Sequence, residues 1–288
     1  MSILVTGATG AVGSLVVQGL AAAGAEVSAL VRTPGKHALP AGVKEVVGDM
    51  REIASLRAAL AGVRTLFLLN AVTPDELTQA LSLLTLAQQA GIERIVYLSV
   101  IHADRFVDVP HFTGKHAVER MIETMALPAT ILRPAYFMQN DVQIQSVVSS
   151  YGVYPMPIGA AGVEMIDVRD IADIAVAELL ARDRAPQALP ARTLDLVGPD
   201  SISGVSAAAV WSELLQRPIQ YGGDDLDAFE QQLATYAPDW MAYDMRLMMA
   251  RIQRHGMHGR EGSLQTLQAL LGRPLRTYRA LVQELLAK

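Results

Sequence analysis

The chain has no cysteine and little lysine. The absence of Cys from all 288 residues excludes disulfides, thiolate metal sites and thiol catalysis. With 24 basic and 29 acidic residues the net charge is −5, which argues against a general binder of nucleic-acid phosphates. Only four of the 24 basic residues are Lys, and the other 20 are Arg; the lysines are Lys36, Lys44, Lys115 and Lys288.

Long apolar runs are also missing. No stretch approaches the length of a membrane span, and the first predicted strand begins at residue 2, where it leaves no room for a signal peptide. We therefore expect a cytoplasmic protein with no membrane partner. Half of the residues are hydrophobic (51%), which suffices for one large domain or for a domain that carries a smaller lobe.

The N-terminus carries the strongest local pattern. Residues 2–6 predict a short buried strand, residues 14–23 predict a helix, and a turn with three glycines, Gly7, Gly10 and Gly13, joins them. Such a turn lets backbone N–H groups and the helix dipole face a pyrophosphate. The spacing is Gly-x-x-Gly-x-x-Gly. It predicts a dinucleotide site formed by residues 7–13, with an ordinary strand-to-helix turn as the alternative.

Further apolar stretches alternate with helical patterns. The predicted strands are 26–31, 44–47, 65–69, 94–99, 129–132 and 193–197. The predicted helices include 53–60, 74–89, one that carries Lys115, and 171–182 with Asp170 as its N-cap. This alternation predicts an α/β fold with a doubly wound parallel sheet. Because ligands bind at the carboxyl ends of such strands, one rim should hold the glycine turn, Arg32, Asp49, Asn70 and Ser99.

The second half of the chain changes character. Residues 152–166 look irregular and resemble a substrate-side loop, and His102 and His111 lie in a predicted loop over residues 100–112. Helices are predicted at 204–216, 226–235, 240–254, 263–271 and 274–287. Four methionines of the third of these helices indicate core packing, with a hydrophobic substrate wall as the alternative.

Two positions bear on cofactor choice. Arg32 ends the second strand, where an acidic residue would bind the ribose 2′-hydroxyl of NAD and an Arg would accommodate the 2′-phosphate of NADP. We therefore favour NADPH, while a solvated loop Arg is the alternative. Asp49 could accept a hydrogen bond from the adenine amino group or cap the following helix.

Several segments together resemble the NmrA-like group, atypical members of the short-chain dehydrogenase/reductase superfamily. They are residues 6–13, Val31-Arg32, Gly48-Asp49, Tyr97-Leu98-Ser99, Arg133-Pro134 with Phe137-Met138-Gln139-Asn140, residues 167–172, Gly198-Pro199 and Leu271-Gly272-Arg273-Pro274.

The resemblance implies a Rossmann domain over residues 1–150, to which residues 164–198 return, and a mainly helical lobe over 151–288. It implies NADPH in the cleft between them. The cofactor-binding residues would be Gly7, Thr9, Gly10, Ala11, Val12, Gly13, Arg32, Asp49, Asn70, Ser99, Lys115, Tyr136 and Phe137. For the last two, plain core aromatics are the alternative.

The superfamily's usual Tyr-x-x-x-Lys motif is absent, because His111 stands four residues before Lys115. Lys115 is the best candidate for holding the nicotinamide ribose or polarising the acceptor; a surface Lys paired with Glu119 is the alternative. His111 could donate a proton or be a solvent-exposed loop His. No metal-ligand pattern is evident.

Three functions remain open. The first is an NADPH-dependent reductase of a small quinone-like or other unsaturated apolar acceptor. The second is a non-catalytic NADP(H) sensor that docks on a regulatory protein partner, which the missing Tyr favours. A sugar-nucleotide epimerase or dehydratase ranks low, because it normally needs that Tyr.

Overall fold

Short runs of buried apolar residues form the strands of a central sheet. The structure, a computed structural model, describes residues 2–287. Strand β1 (Ser2–Val5) pairs in parallel with β2 (Val27–Val31) on one side. The other strands of the sheet are β3 (Lys44–Val47), β4 (Val63–Leu68), β5 (Arg94–Leu98), β6 (Ala129–Pro134) and β8 (Arg192–Leu196).

The strand order defines the fold class. Across the described residues the sheet reads β3-β2-β1-β4-β5-β6-β8, and neighbouring strands from β3 to β6 run parallel. The order reverses between β1 and β4, and this reversal is the switch point at which doubly wound sheets bind ligands. The predicted Rossmann-type parallel sheet is therefore confirmed.

Helices cover both faces of this sheet. They are α1 (Gly13–Ala22), α2 (Ile53–Leu60), α3 (Glu76–Gln89), α4 (Pro110–Thr124) and α6 (Val168–Arg184). Leu4, Leu66 and Ile95 pack with residues of α2, α3 and α4 in one cluster. Because strand side chains alternate between faces, their neighbours face the opposite layer, where α1 contacts α6: a Cβ at Gly19 would lie 2.8 Å from Val176.

The chain forms two compact units. The first comprises residues up to Val100, Gly114–Arg133 and Arg169–Leu194, and it contains most of the sheet. The second comprises Ile101–Thr113, Pro134–Val168 and the chain from Asp195 onward. These units describe packing within the chain, and the functional boundary near residue 150 stays a prediction.

The second unit is mainly helical. Beyond α6 it contains α7 (Gly204–Leu215), α8 (Leu226–Ala234), α9 (Asp239–His255), α10 (Ser263–Leu271) and α11 (Tyr278–Leu286), in agreement with the predicted helices to within four residues. Earlier it contains a 3-10 helix (Met138–Ile144) and α5 (Gln145–Tyr151). Helix α11 begins four residues later than predicted because the Thr277 side chain caps it by accepting from the N–H of Ala280 at 3.1 Å.

Three local predictions were wrong. His111 lies in the first turn of α4 and not in a loop, because Pro110 begins that helix. Asp170 lies inside α6 and does not occupy the N-cap position, since the helix begins at Val168. Residues 152–166 are not wholly irregular: they contain strand β7 (Val153–Tyr154), which pairs in parallel with β9 (Gln220–Tyr221).

Candidate active site

The glycine turn joins β1 to α1 with no room for side chains at two of its positions. Gly7 has φ +59°, which favours glycine, and a Cβ there would lie 2.9 Å from the carbonyl oxygen of Leu69. A Cβ at Gly13 would lie 2.1 Å from the carbonyl oxygen of Gly7. The helix therefore begins in direct contact with the turn, at the carboxyl end of the central strand.

The outer side of the same turn is open. A Cβ at Gly10 would meet only the Gly7 oxygen, at 3.4 Å. Thr9 and Ala11 are exposed residues, and within residues 2–287 their backbone N–H groups have no hydrogen-bond partner. Val12 is the N-cap of α1, and no side chain caps that helix. Free donors at a helix N-terminus favour an anionic group, so the turn fits a dinucleotide pyrophosphate.

Arg32 and Asp49 follow β2 and β3 on the same edge of the first unit. Arg32 is exposed, and its positive charge reaches Asp49. Hydrogen bonds from Arg51, first from its guanidinium and then from its backbone N–H, lower the pKa of Asp49 to about 2. The Arg51 charge is therefore compensated by Asp49, whereas Arg32 is exposed at the same edge. The contact of Arg32 with a 2′-phosphate stays a prediction.

The capping alternative for Asp49 was wrong. Helix α2 has Glu52 at its N-cap position, with no side-chain cap, and the Asp49 carboxylate is bound by Arg51, with the guanidinium Nη2 2.9 Å from Oδ2. The contact with adenine stays a prediction.

Asn70 and Ser99 follow the next two strands, and their side chains differ in the hydrogen bonds that they already make. Asn70 is 7% exposed, and its Oδ1 is buried without a hydrogen-bond partner among the described residues. An unpaired buried acceptor is costly, and a ligand hydroxyl or amide would satisfy it. Ser99 donates its only hydroxyl proton to Oε1 of Glu119 at 2.6 Å, and its oxygen can still accept a hydrogen bond. The contact of Ser99 with the cofactor stays a prediction.

Lys115 is buried and ion-paired. Its Nζ lies 2.6 Å from Oε1 of Glu76, the first residue of α3, and Lys115 is 8% exposed. The alternative of a surface Lys paired with Glu119 was therefore wrong. A single carboxylate contact at 2.6 Å fixes the ammonium in place and leaves two of its three N–H donors for other groups.

Glu119 occupies a buried position one turn further along α4. It accepts bidentate hydrogen bonds from Arg133, with Nε at 2.9 Å and Nη2 at 2.6 Å. Burial and then the charges of Glu76 and Glu119 raise the pKa of Tyr97. A cluster of compensated buried charges thus packs at the carboxyl end of β5, beside the switch point.

His111 is held by a residue that the sequence did not indicate. Its Nδ1 lies 2.7 Å from Oδ1 of Asp244, and its side chain is 9% exposed. The alternative of a solvent-exposed loop His was therefore wrong. His111 belongs to the second unit, as do Tyr136 and Phe137.

The two aromatic candidates differ in burial. Tyr136 is 6% exposed, and burial raises its pKa, so the phenol stays protonated. Phe137 is partly buried and forms an isolated bridge with Ile166. Their contact with a nicotinamide stays a prediction.

The part of the chain that the structure describes contains neither a cluster of metal ligands nor a membrane-spanning helix. No cluster of three or more His, Cys, Asp or Glu side chains in residues 2–287 could hold a metal ion. No helix in that range is both long and apolar enough to cross a membrane.

Comparison with known proteins now identifies the family. Residues 1–272 match the model of the NmrA-like family, and the chain belongs to that family. It is 33% identical over 281 residues, 96% of this chain and 95% of the relative, to the NAD(P)H azoreductase of Xenophilus azovorans. Identity is also 33% over 96% of the chain and 95% of the relative to a (4-alkanoyl-5-oxo-2,5-dihydrofuran-3-yl)methyl phosphate reductase of Streptomyces griseus.

A solved structure supports the fold over the whole chain. The NADPH-dependent quinone oxidoreductase QOR2 of Escherichia coli, in complex with NADPH, superposes with a TM-score of 0.87. That match covers 99% of this chain and 100% of the other, at 23% identity.

Sequence reasoning missed two partners, Glu76 and Asp244. Glu76 lies in the helix predicted at 74–89, where no local pattern pairs it with Lys115. Asp244 carried no signal, because it lies among the methionines of α9, whose pattern indicates packing. Both residues bind side chains more than 35 positions away in the chain. A local sequence pattern does not predict contacts over that distance.

Proposed function

We propose that this protein is an NADPH-dependent reductase of a small, flat, mostly apolar acceptor such as a quinone or an azo compound. The observation that carries the proposal is the glycine turn with its open N–H groups, in a chain 33% identical over 96% of its length to an NAD(P)H azoreductase. The coarser conclusion, an NAD(P)H oxidoreductase that acts on a small molecule, rests on the same support.

The residues at the sheet edge fit the parts of the cofactor. The open N–H groups of Thr9 and Ala11 would hold the pyrophosphate. Arg32 would bind the 2′-phosphate, which supports NADPH over NADH. The unpaired Oδ1 of Asn70 would accept a hydrogen bond from the cofactor.

The cofactor supplies a hydride when bound, and the side chains supply position and charge. Lys115, fixed by Glu76, would hold the nicotinamide ribose or stabilise negative charge that develops on the acceptor. His111 would donate the proton that completes the reduction. Tyr136 and Phe137 would border the nicotinamide.

The missing Tyr limits the reaction class. Without Tyr-x-x-x-Lys, oxidation of an ordinary alcohol lacks its usual acid–base group. A quinone needs less proton assistance, because its reduced anion is relatively stable. This difference supports an unsaturated acceptor over a simple carbonyl or a sugar nucleotide.

The absence of the Tyr-x-x-x-Lys motif also favours a second candidate function. A non-catalytic NADP(H) sensor would bind the nucleotide, discriminate its oxidised from its reduced form, and act through a protein partner. It would need Arg32 and the glycine turn but not His111.

A panel of acceptors distinguishes the two. NADPH oxidation is measured with a small quinone, an azo dye and a simple ketone, beside a titration of NADPH binding on the same sample. Saturable turnover with the first two and not with the ketone supports the reductase. Binding of NADPH without turnover of any acceptor would overturn it and favour the sensor.

A further inference from the structure

Asp244 contacts His111 at two points. Its Oδ1 lies 2.7 Å from the ring Nδ1, and its Oδ2 accepts the backbone N–H of His111 at 3.2 Å. Asp244 is 2% exposed and lies in the interior of α9, whereas His111 lies in the first turn of α4. One carboxylate thus binds both the ring and the backbone of the same residue.

This contact sets the tautomer of the ring. Nδ1 faces a carboxylate oxygen, which only accepts, so Nδ1 carries a proton. The ring also stands edge-on against Phe112, with centroids 4.7 Å apart and an interplanar angle of 87°. Two neighbours therefore fix the orientation of His111 before any substrate arrives.

The second ring nitrogen remains accessible. Within residues 2–287, Nε2 of His111 has no hydrogen-bond partner, and it is not among the unpaired polar side-chain atoms of that range that are sealed from solvent. A His that was buried only for packing would have both nitrogens enclosed or satisfied. In His111, Nδ1 is bound by Asp244, whereas Nε2 is free to bind a substrate.

We propose that Asp244 is the positioning residue that makes His111 a proton donor in the reduction. The inference rests on the proposed reductase function. The acceptor takes a hydride, which is two electrons and one proton, from the cofactor, and its anionic oxygen or nitrogen then takes a second proton from Nε2 of the imidazolium. The Nδ1–H bond to Asp244 is kept throughout, and the neutral ring regains its proton from water.

Asp244→Asn separates this role from packing, because it preserves shape and removes charge. The amide oxygen can accept only one of the two N–H groups, and its NH2 must face the other. If the oxygen keeps the backbone N–H, the ring proton is driven to Nε2. In either arrangement the carboxylate charge that stabilises the imidazolium is lost. A comparable Asp→Asn change in the catalytic triad of serine proteases acts through the tautomer of the His.

Asp108→Asn is the matched control. The Asp108 carboxylate binds Nε of Arg251 at 2.6 Å, so this ion pair joins α9 to the segment just before α4, within the same unit. Among the described residues, no hydrogen bond or ion pair joins Asp108 to His111. A loss that came only from loosening α9 would therefore appear in both variants.

With an azo dye, whose reduced nitrogen needs a proton, Asp244→Asn should lower kcat by about 10- to 100-fold, within the usual range for general acid catalysis. KM and the Kd for NADPH should change by less than about 3-fold, and kcat with a quinone should fall less than with the dye. Asp108→Asn should match the wild type. Equal losses with both acceptors, equal losses in both variants, or an unchanged kcat would overturn the role of Asp244.

The nitrogen-15 NMR signature of the ring in the wild-type protein provides a measurement that does not depend on whether Asp244→Asn folds. In wild-type protein, the neutral ring of His111, assigned by its loss in His111→Gln, should carry its proton on Nδ1. A proton on Nε2 would overturn the proposal. If the wild type turns over no acceptor, the proposed function fails, and the role of His111 as donor fails with it. Turnover with an unaffected Asp244→Asn variant removes only the positioning role.

Discussion

At the scale of single residues, Lys115 has a structural role, and we propose a chemical role for it as well. A buried ammonium needs a partner, and Glu76 supplies it at 2.6 Å. Removing one member of a buried ion pair leaves an uncompensated charge, which typically destabilises a protein by about 3–5 kcal/mol. A test of Lys115 in catalysis must therefore separate lost stability from lost chemistry.

We expect Lys115→Met to lower both stability and activity, and Lys115→Met combined with Glu76→Gln to recover stability alone. The single variant should lose about 3–5 kcal/mol of unfolding free energy and about 100-fold in kcat/KM. The double variant should regain most of the stability, measured by urea denaturation, but none of the activity. Recovery of kcat/KM in the double variant would show that Lys115 has no part in the reaction.

Arg32 tests cofactor choice by itself. We expect Arg32→Ala to weaken NADPH binding by about 1.5–3 kcal/mol, the usual range for hydrogen bonds to a charged group, and to leave NADH binding nearly unchanged. Arg57→Ala, which removes another exposed guanidinium, from α2, is the control. Equal losses for the two cofactors, by titration calorimetry, would contradict the assignment.

From the sequence, the candidate functional residues could be predicted, but the residues that bind them could not. Lys115 stood out because only four lysines occur, and Arg32 because it ends a strand. The local i,i+4 rule paired Lys115 with Glu119, whereas Glu119 is bound by Arg133 from β6. Partners that come from another element depend on packing, which the sequence does not state.

At the scale of elements, Gly10 and Gly13 of the glycine turn lie within four residues but differ in the space around them. Gly13 has a carbonyl oxygen 2.1 Å from the position of a Cβ, whereas Gly10 has only one neighbour, at 3.4 Å. Gly13 therefore serves the packing of α1, and we propose that Gly10 serves the approach of the cofactor.

We therefore expect Gly13→Ala and Gly10→Ala to fail in different ways. Gly13→Ala forces the backbone of the turn to move and should cost about 1–3 kcal/mol of stability, as overpacking usually does. Gly10→Ala should leave the melting temperature within about 2 °C, since the site has room, and weaken NADPH binding at least about 5-fold, because a methyl group would cover the donors. Thermal melts and nucleotide titrations test both; the reverse pattern would refute this account of the turn.

Most elements could be predicted because their signals are local. Strand β3 and helices α2 and α10 begin and end at the predicted residues, because apolar periodicity and glycines mark them. The pairing of β7 with β9 could not be predicted from the sequence, since each strand has two residues and the partners lie 67 positions apart. The first turn of α4 was taken for a loop, because Asp244, which binds the backbone N–H of His111, comes from a distant helix.

At the scale of the whole molecule, one buried carboxyl couples stability to pH. Asp141 is completely buried, and its Oδ2 accepts from the hydroxyls of Tyr154 at 3.0 Å and Tyr278 at 2.5 Å. The Tyr278 hydroxyl in turn accepts from the indole N–H of Trp211 at 2.9 Å. Burial raises the pKa of Asp141 to about 6, from 3.8 in an open chain.

The sign of the effect follows from this raised pKa. Between about pH 4 and pH 6 the folded state binds the proton and the unfolded state has released it, so stability falls as pH rises through this window. A pKa difference of this size corresponds to about 3 kcal/mol. Unfolding free energies measured from pH 4 to 7 should show that decline in the wild type and not in Asp141→Asn. Parallel curves for the two proteins would contradict the assignment to Asp141.

We propose that the chain transfers a hydride from NADPH to an unsaturated acceptor. The most direct measurement is an anaerobic single turnover, with the enzyme, one equivalent of NADPH and an excess of quinone, in which oxidised nucleotide and reduced acceptor are both quantified. The account predicts one acceptor reduced for each NADPH oxidised, at a rate that saturates with quinone. NADPH that stays bound and unoxidised while the quinone stays intact would contradict it.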